Sequence, residues 1–120
     1  MNPYPQYASE IEEIHHTEKL DAPSGTAITL AEQVIENLEL KKGWKNDSEV
    51  KDSELLINSK REENVPGTHI VKYESNIDTI EIKHTAKNRE GFALGAVLAA
   101  EFTLKRDGLL TMKDVLFCFE

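Results

Sequence analysis

Apolar residues recur at Ala27, Leu30, Ala31, Val34, Ile35 and Leu38, with polar residues between them. The spacing i, i+3, i+4, i+7, i+8, i+11 is one stripe of a 3.6-residue period and predicts an amphipathic helix. Pro23 and Ser24 mark its start, because proline fits a first helical turn and a serine hydroxyl caps free N–H groups. Lys41, Lys42 and Gly43 predict its end, the lysines by suiting the negative pole of the helix dipole. Residues 44–53 are polar and read as a surface loop. Elsewhere the period is two. Residues 8–16 read as a strand, although Glu10, Glu12 and Glu13 interrupt the alternation. Residues 54–60 carry Leu55, Leu56 and Ile57, and residues 68–74 carry Ile70, Val71 and Tyr73. Residues 79–85 alternate cleanly, with Ile80, Ile82 and His84 on one face. Ser75, Asn76 and Asp78 supply turn chemistry between the last two strands and predict a hairpin. Pro66-Gly67 predicts a type II turn feeding the strand at residue 68. Residues 92–104 form a helical pattern that is apolar nearly all round, so that helix should be covered on more than one side. Asp107-Gly108 breaks it, and Thr111 with Asp114 predicts a variant capping box before a short last helix. The order β-α-β-β-β-α-α predicts an α+β domain: an open mixed sheet of about four strands with helices packed on one face.

Composition narrows the class. The chain has 120 residues, 39 % of them apolar, which suits one domain with one modest core. It carries 14 Lys and Arg against 22 Asp and Glu, a net charge of −8. That balance argues against nucleic-acid binding, which needs clustered cations. No run approaches the ~18–20 apolar residues of a membrane span. The first residues show no basic segment followed by an apolar one, so no secretory signal is expected. The single cysteine, Cys118, cannot form an internal disulfide. A soluble, cytoplasmic protein is expected, with no membrane partner.

The densest chemistry lies in EIHHTEKLDAPSGTA, residues 13–27. His15 and His16 are adjacent, so on a strand they face opposite ways. Lys19 follows across a predicted turn. Ser24, Gly25 and Thr26 open the long helix, whose N-terminus offers free N–H groups and partial positive charge to an anion. Gly25 lets a ligand approach the backbone, and a hydroxyl flanks it on each side. Histidine and lysine beside that start predict a cationic notch for a small carboxylate or phosphate. A histidine near its ordinary pKa of about 6.5 also moves protons at neutral pH. Taken singly, each part has a plain structural explanation: a helix cap, a surface histidine pair, a solvated lysine. No metal is expected, because thiols are missing and neighbouring strand residues share an ion poorly. A second cluster, VPGTH at residues 65–69, holds the predicted turn. A third, HTAKNREGFALGA at residues 84–96, holds Arg89, a fork suited to a carboxylate.

These motifs, in this order, resemble dihydrodipicolinate reductases. E-x-H-H-x-x-K-x-D-A-P-S-G-T-A, V-P-G-T-H, I-E-I-x-H-x-A-x-x-R-x-x-F-A-x-G-A and G-L-x-x-M-x-D-V-L cover nearly the whole chain. The resemblance implies a two-domain enzyme of lysine and diaminopimelate biosynthesis that reduces a cyclic dicarboxylate to tetrahydrodipicolinate with NADH or NADPH. It places the general acid/base on His15 and the proton donor on Lys19. Substrate binding falls on His16, Gly25 and Thr26, with Ser24 in the same loop and Arg89 near the hinge. Gly25, Gly43, Gly67, Gly91, Gly95 and Gly108 build no G-x-G-x-x-G turn. Residues 1–120 are therefore expected to be the C-terminal substrate-binding and oligomerisation domain. They are expected to lack the nucleotide-binding domain, to bind no cofactor and to be inactive alone. The intact enzyme is expected to be a homotetramer. The competing readings are a free-standing small-carboxylate-binding module and an oligomerisation module.

Overall fold

The computed structural model describes residues 1–118. The chain divides into two compact units, Met1–Lys87 and a second that begins at Asn88. In the first, β1 (Ala8–His15) is followed by α1 (Gly25–Asn37), β2 (Gly43–Lys45), β3 (Glu54–Arg61), β4 (Gly67–Glu74) and β5 (Thr79–Ala86). The sheet is five-stranded, in the order β2-β3-β1-β4-β5. β3 is parallel to both β1 and β2, while β4 is antiparallel to β1 and to β5. The mixed sheet of the α+β class is as expected, with one strand more than the four anticipated.

The additional strand is β2. Residues 44–53 look polar as a group, yet Trp44 pairs with Leu55 and packs against the core. A three-residue edge strand is too short to show a period, and its neighbours Lys45 and Asn46 hide it. Correspondingly, α1 ends earlier than anticipated. Its last residue is Asn37, its C-cap is Leu38, and no basic residue lies in its last turn. Lys41, Lys42 and Gly43 lead instead into β2, and the Lys41 ammonium donates to the carbonyls of Asp52 (2.7 Å) and Glu54 (3.1 Å). The start of α1 is as expected: Ser24 is the N-cap, and its Oγ accepts the N–H of Ala27 at 3.2 Å.

α1 packs on the face of the sheet formed by the odd-numbered residues of β1. Ala27 and Ala31 are fully buried, and their small side chains let the helix lie close to the strands. Beneath them the strands align in rows. One row runs Ile57, Ile11, Val71, Ile82; the next runs Ser59, Glu13, His69, His84. A third places Arg61 beside His15. Ile11, Leu55 and Ile57 with the two alanines form the core, and Leu30, Val34, Ile35, Trp44 and Val71 close around it. The predicted β4–β5 hairpin is present. Ser75 N–H donates to the Asp78 carbonyl at 2.9 Å, and Ser75 Oγ accepts from the N–H groups of Ile77 and Asp78.

The type II turn at Pro66-Gly67 is not formed. Among the described residues the positive φ angles belong to Asn64 (60°) and Gly108 (92°), whereas Gly67 is the first residue of β4. The reversal between β3 and β4 thus uses Asn64, a residue type that tolerates the left-handed region.

The second unit holds α2 (Glu90–Thr103) and α3 (Met112–Leu116). α2 has no buried residue, and Phe92, Leu94, Val97 and Leu98 are each about half exposed. Within this unit the expected cover on several sides is not supplied; one five-residue helix offers too little surface to bury a helix apolar all round. Asp114 accepts both the N–H (2.6 Å) and the hydroxyl (2.7 Å) of Thr111, so the capping pair forms as predicted.

Candidate functional site

The site sits where the polar rows of the sheet meet the N-terminus of α1. Glu13 is fully buried at its centre. Arg61 Nη1 donates to its Oε1 at 2.9 Å, the Ser24 N–H donates to the same oxygen at 3.3 Å, and His15 Nδ1 pairs with Oε2. Ser59 also hydrogen-bonds the carboxylate. The Ser59 Oγ in turn accepts from Asn46 Nδ2 at 2.9 Å, which lies just beyond the unanticipated β2. Burial alone would push the Glu13 carboxyl up. The hydrogen bonds from Ser59, His15 and Arg61 outweigh it and hold the group below the usual glutamate range.

Arg61 does more than pair with Glu13. Its Nη2 donates to the Asp21 carbonyl at 2.7 Å and its Nε to the Lys19 carbonyl at 3.4 Å. The β1–α1 link is therefore folded over one guanidinium. This ties the Lys19 carbonyl to Arg61 and the Ser24 amide to its partner Glu13. The Lys19 ammonium meets Asp21 Oδ1 at 2.9 Å. That hydrogen bond holds the exposed Asp21 carboxyl below its ordinary range.

His69 closes the other side. Its Nε2 lies 3.1 Å from Ser24 Oγ, and its ring meets that of His15 edge to face, with centroids 5.0 Å apart. Burial, then electrostatic interaction with His15, push the His69 imidazole below its ordinary value; Glu13 pulls the other way without winning, and His84 and Lys19 add smaller pushes down. Gly67 stands against His15, where a Cβ would fall 3.1 Å from Nε2. A Cβ at Gly25 would meet nothing within 4 Å, so the first turn of α1 is open to a ligand.

The structure thus brings together His15, Lys19, Ser24 and Gly25, with Thr26 following in the exposed first turn of α1. His16 follows the end of β1, and its buried Nδ1 has no hydrogen-bond partner. Arg89 belongs to the second unit, where it is the N-cap residue of α2 and makes no side-chain cap bond. Glu13, Arg61 and His69 carry the site's hydrogen bonds, yet none is anticipated from sequence as a site residue. A signal existed for Glu13: it falls in the buried phase of β1, with Ser9, Ile11 and His15, whereas Glu10 and Glu12 fall in the open phase.

Ligand atoms of Glu13, His15 and His69 lie within 4.8 Å of one another, a spacing that suits a metal ion. Both carboxylate oxygens are already engaged, one by a guanidinium, so a cation there would displace Arg61 and compete with its charge. A nicotinamide dinucleotide fits no better. The β1–α1 link, residues 16–24, has no glycine and wraps around Arg61, unlike a glycine-rich turn that cradles a pyrophosphate.

The chain is an α+β domain with a polar site at one end of a helix-covered sheet. The family model for dihydrodipicolinate reductase, C-terminus, matches residues 1–116, so the chain belongs to that family. The 4-hydroxy-tetrahydrodipicolinate reductase of Christiangramia forsetii is 63 % identical over 110 residues, covering 92 % of this chain and 46 % of its own length. That of Clostridium novyi is 39 % identical over 118 residues, covering 94 % and 47 %. Among solved structures, a dipicolinate-bound dihydrodipicolinate reductase from Paenisporosarcina sp. TG-14 aligns with a TM-score of 0.63 at 26 % identity. The alignment covers 89 % of this chain and 44 % of that one. The chain spans about half the length of these relatives. Among the described residues no helix is long and apolar enough to cross a membrane.

Proposed function

We propose that this chain is the substrate-binding and proton-handling domain of a 4-hydroxy-tetrahydrodipicolinate reductase, acting in lysine and diaminopimelate biosynthesis in the cytoplasm. The observation that carries this reading is the convergence of Lys19, His15 and the open N-terminus of α1 on one buried carboxylate–guanidinium pair. The substrate is a cyclic, unsaturated dicarboxylate. Backbone N–H groups at Gly25 and Thr26, with the Thr26 hydroxyl, receive one carboxylate without reorganising. The Ser24 hydroxyl is engaged with Ala27 and His69, so it shapes the loop more than it offers a free donor. His16 and Arg89 are the further substrate contacts the family pattern suggests. A net charge of −8 repels a dianion at long range, so the local positive field has to come from Lys19, whose ammonium would exchange Asp21 for the ligand. Lys19 Nζ is also the proton donor to the reduced ring, and His15 the acid/base that restores it. The hydride comes from NADH or NADPH held by residues outside this chain, and the chain alone is inactive. The intact enzyme is a homo-oligomer, a tetramer in the family pattern; the exposed Ile77 in the β4–β5 turn and Ile80 and Ile82 on the edge strand β5 support assembly.

Pyridine-2,6-dicarboxylate titrated into this chain and followed by amide NMR tests the reading. Weak binding with the largest shifts at Gly25, Thr26 and Lys19 is expected. Shifts confined to other surfaces would remove the notch from the mechanism.

A further inference from the structure

Glu13 has no part in the ligand contacts just proposed, yet every element of the site leans on it. It lies fully buried between Ser59 on one side and His69 on the other, and it takes hydrogen bonds from four groups on three segments. Buried carboxylates are expensive to keep unless each lone pair is used. This one uses Oε1 for Arg61 and the Ser24 amide and Oε2 for His15. We infer that Glu13 is a positioning residue for His15: its ionised carboxylate accepts the Nδ1 hydrogen and so leaves Nε2, beside Gly67, as the unprotonated and reactive nitrogen.

The chemistry is one-directional. An ionised carboxylate has lone pairs and no hydrogen to give, so the imidazole nitrogen facing it must be the donor. A neutral imidazole with its hydrogen on Nδ1 carries a free lone pair on Nε2. That atom has no protein partner among the described residues, and Gly67 keeps the space next to it free of a side chain. Arg61 fixes the arrangement twice over. It neutralises the buried charge, and its bonds to the Lys19 and Asp21 carbonyls hold the loop that carries the ligand notch. One guanidinium therefore couples the tautomer of His15 to the position of Lys19. The inference deepens the proposed function and rests on it only for the use made of Nε2, not for the tautomer itself.

Glu13→Gln is the sharpest variant, because the amide is isosteric but has a single acceptor. Arg61 and the Ser24 amide claim that oxygen, which turns the amide NH₂ toward His15. Nδ1 must then accept, and the hydrogen moves to Nε2. In this 120-residue chain, ¹⁵N-edited NMR of the neutral His15 ring at alkaline pH should report the Nδ1–H tautomer in the unsubstituted protein and Nε2–H in Glu13→Gln. The unsubstituted chain alone suffices if the variant does not fold: an Nε2–H tautomer there overturns the inference. An unchanged tautomer in a folded Glu13→Gln also overturns it. Binding of pyridine-2,6-dicarboxylate is measured in the same samples. Tautomer inversion without dicarboxylate binding in either form upholds the positioning role and sinks the ligand assignment. Dicarboxylate binding without inversion does the reverse.

Discussion

Two neighbouring rows of the same sheet face differ in kind. Ile11 sits between Ile57 and Val71, and two residues further along β1, Glu13 sits between Ser59 and His69. Both central residues are fully buried under or beside α1. The first row is held by apolar contact, which is non-directional and tolerates small shifts. The second is held by hydrogen bonds, each of which fails if its partner moves or leaves. An apolar residue at position 13 would serve folding at least as well, since well-packed apolar replacements of buried ion pairs are often neutral or stabilising. The polar row therefore makes sense as the cost of arming the end of the sheet that faces the start of α1.

The comparison can be broken at either row. Ile57→Ala should have the largest effect, a loss of about 2–5 kcal/mol in urea unfolding, through the cavity it leaves in the core. Arg61→Ala should come next, at about 2–4 kcal/mol, by stranding the Glu13 charge. The joint replacement Glu13→Leu with Arg61→Met should recover most of that loss while abolishing dicarboxylate binding. If the pair proves as unstable as Arg61→Ala, the polar row is structural rather than functional. Ser24→Ala should cost about 1–2 kcal/mol, since it removes both the α1 cap and the partner of His69. Gly67→Ala should change stability least among these and yet weaken dicarboxylate binding, because its methyl group meets His15 Nε2.

The smallest expected effect is a pH dependence confined to the polar row. Burial lowers the His69 pKa in the folded chain, so the unfolded chain binds more protons below an ordinary value of about 6.5. The contribution of His69 is therefore complete above that value and is lost as pH falls through the folded one. Glu13, also lowered in the folded chain, adds a second loss of the same sign below the ordinary glutamate range. The urea midpoint should fall between pH 7.5 and 5.5. In His69→Gln that part of the fall should vanish; an unchanged slope would assign it elsewhere.

How much of this was legible depends on the distance over which each feature is set. The α1 stripe, the β4–β5 turn and the Thr111–Asp114 pair are local, and each was readable from residues within a turn or two of one another. The start of α1 at Ser24 was readable because a helix start announces itself by its cap. Arg61 was not, since it reaches Glu13 from 48 residues away through a parallel strand pairing that no short-range pattern encodes. His69 reaches Ser24 across 45 residues in the same way. Glu13 was visible but misread as an interruption of β1, when its place in the inward phase was the sign of a buried charge. Gly67 was read for its φ freedom, whereas its use is the space it leaves beside an imidazole.

The central place of β1 has a kinetic corollary. β4 and β5 can zip from their own turn within microseconds, because few residues separate their ends. β1 must instead capture β3 across α1 and β2, closing a far longer loop before any contact rewards it. Since Arg61 reaches Glu13 only through that β1–β3 pairing, the carboxylate is expected to be buried and paired late. On refolding, the end of the sheet that holds Glu13 and His15 should be the last part to acquire native order.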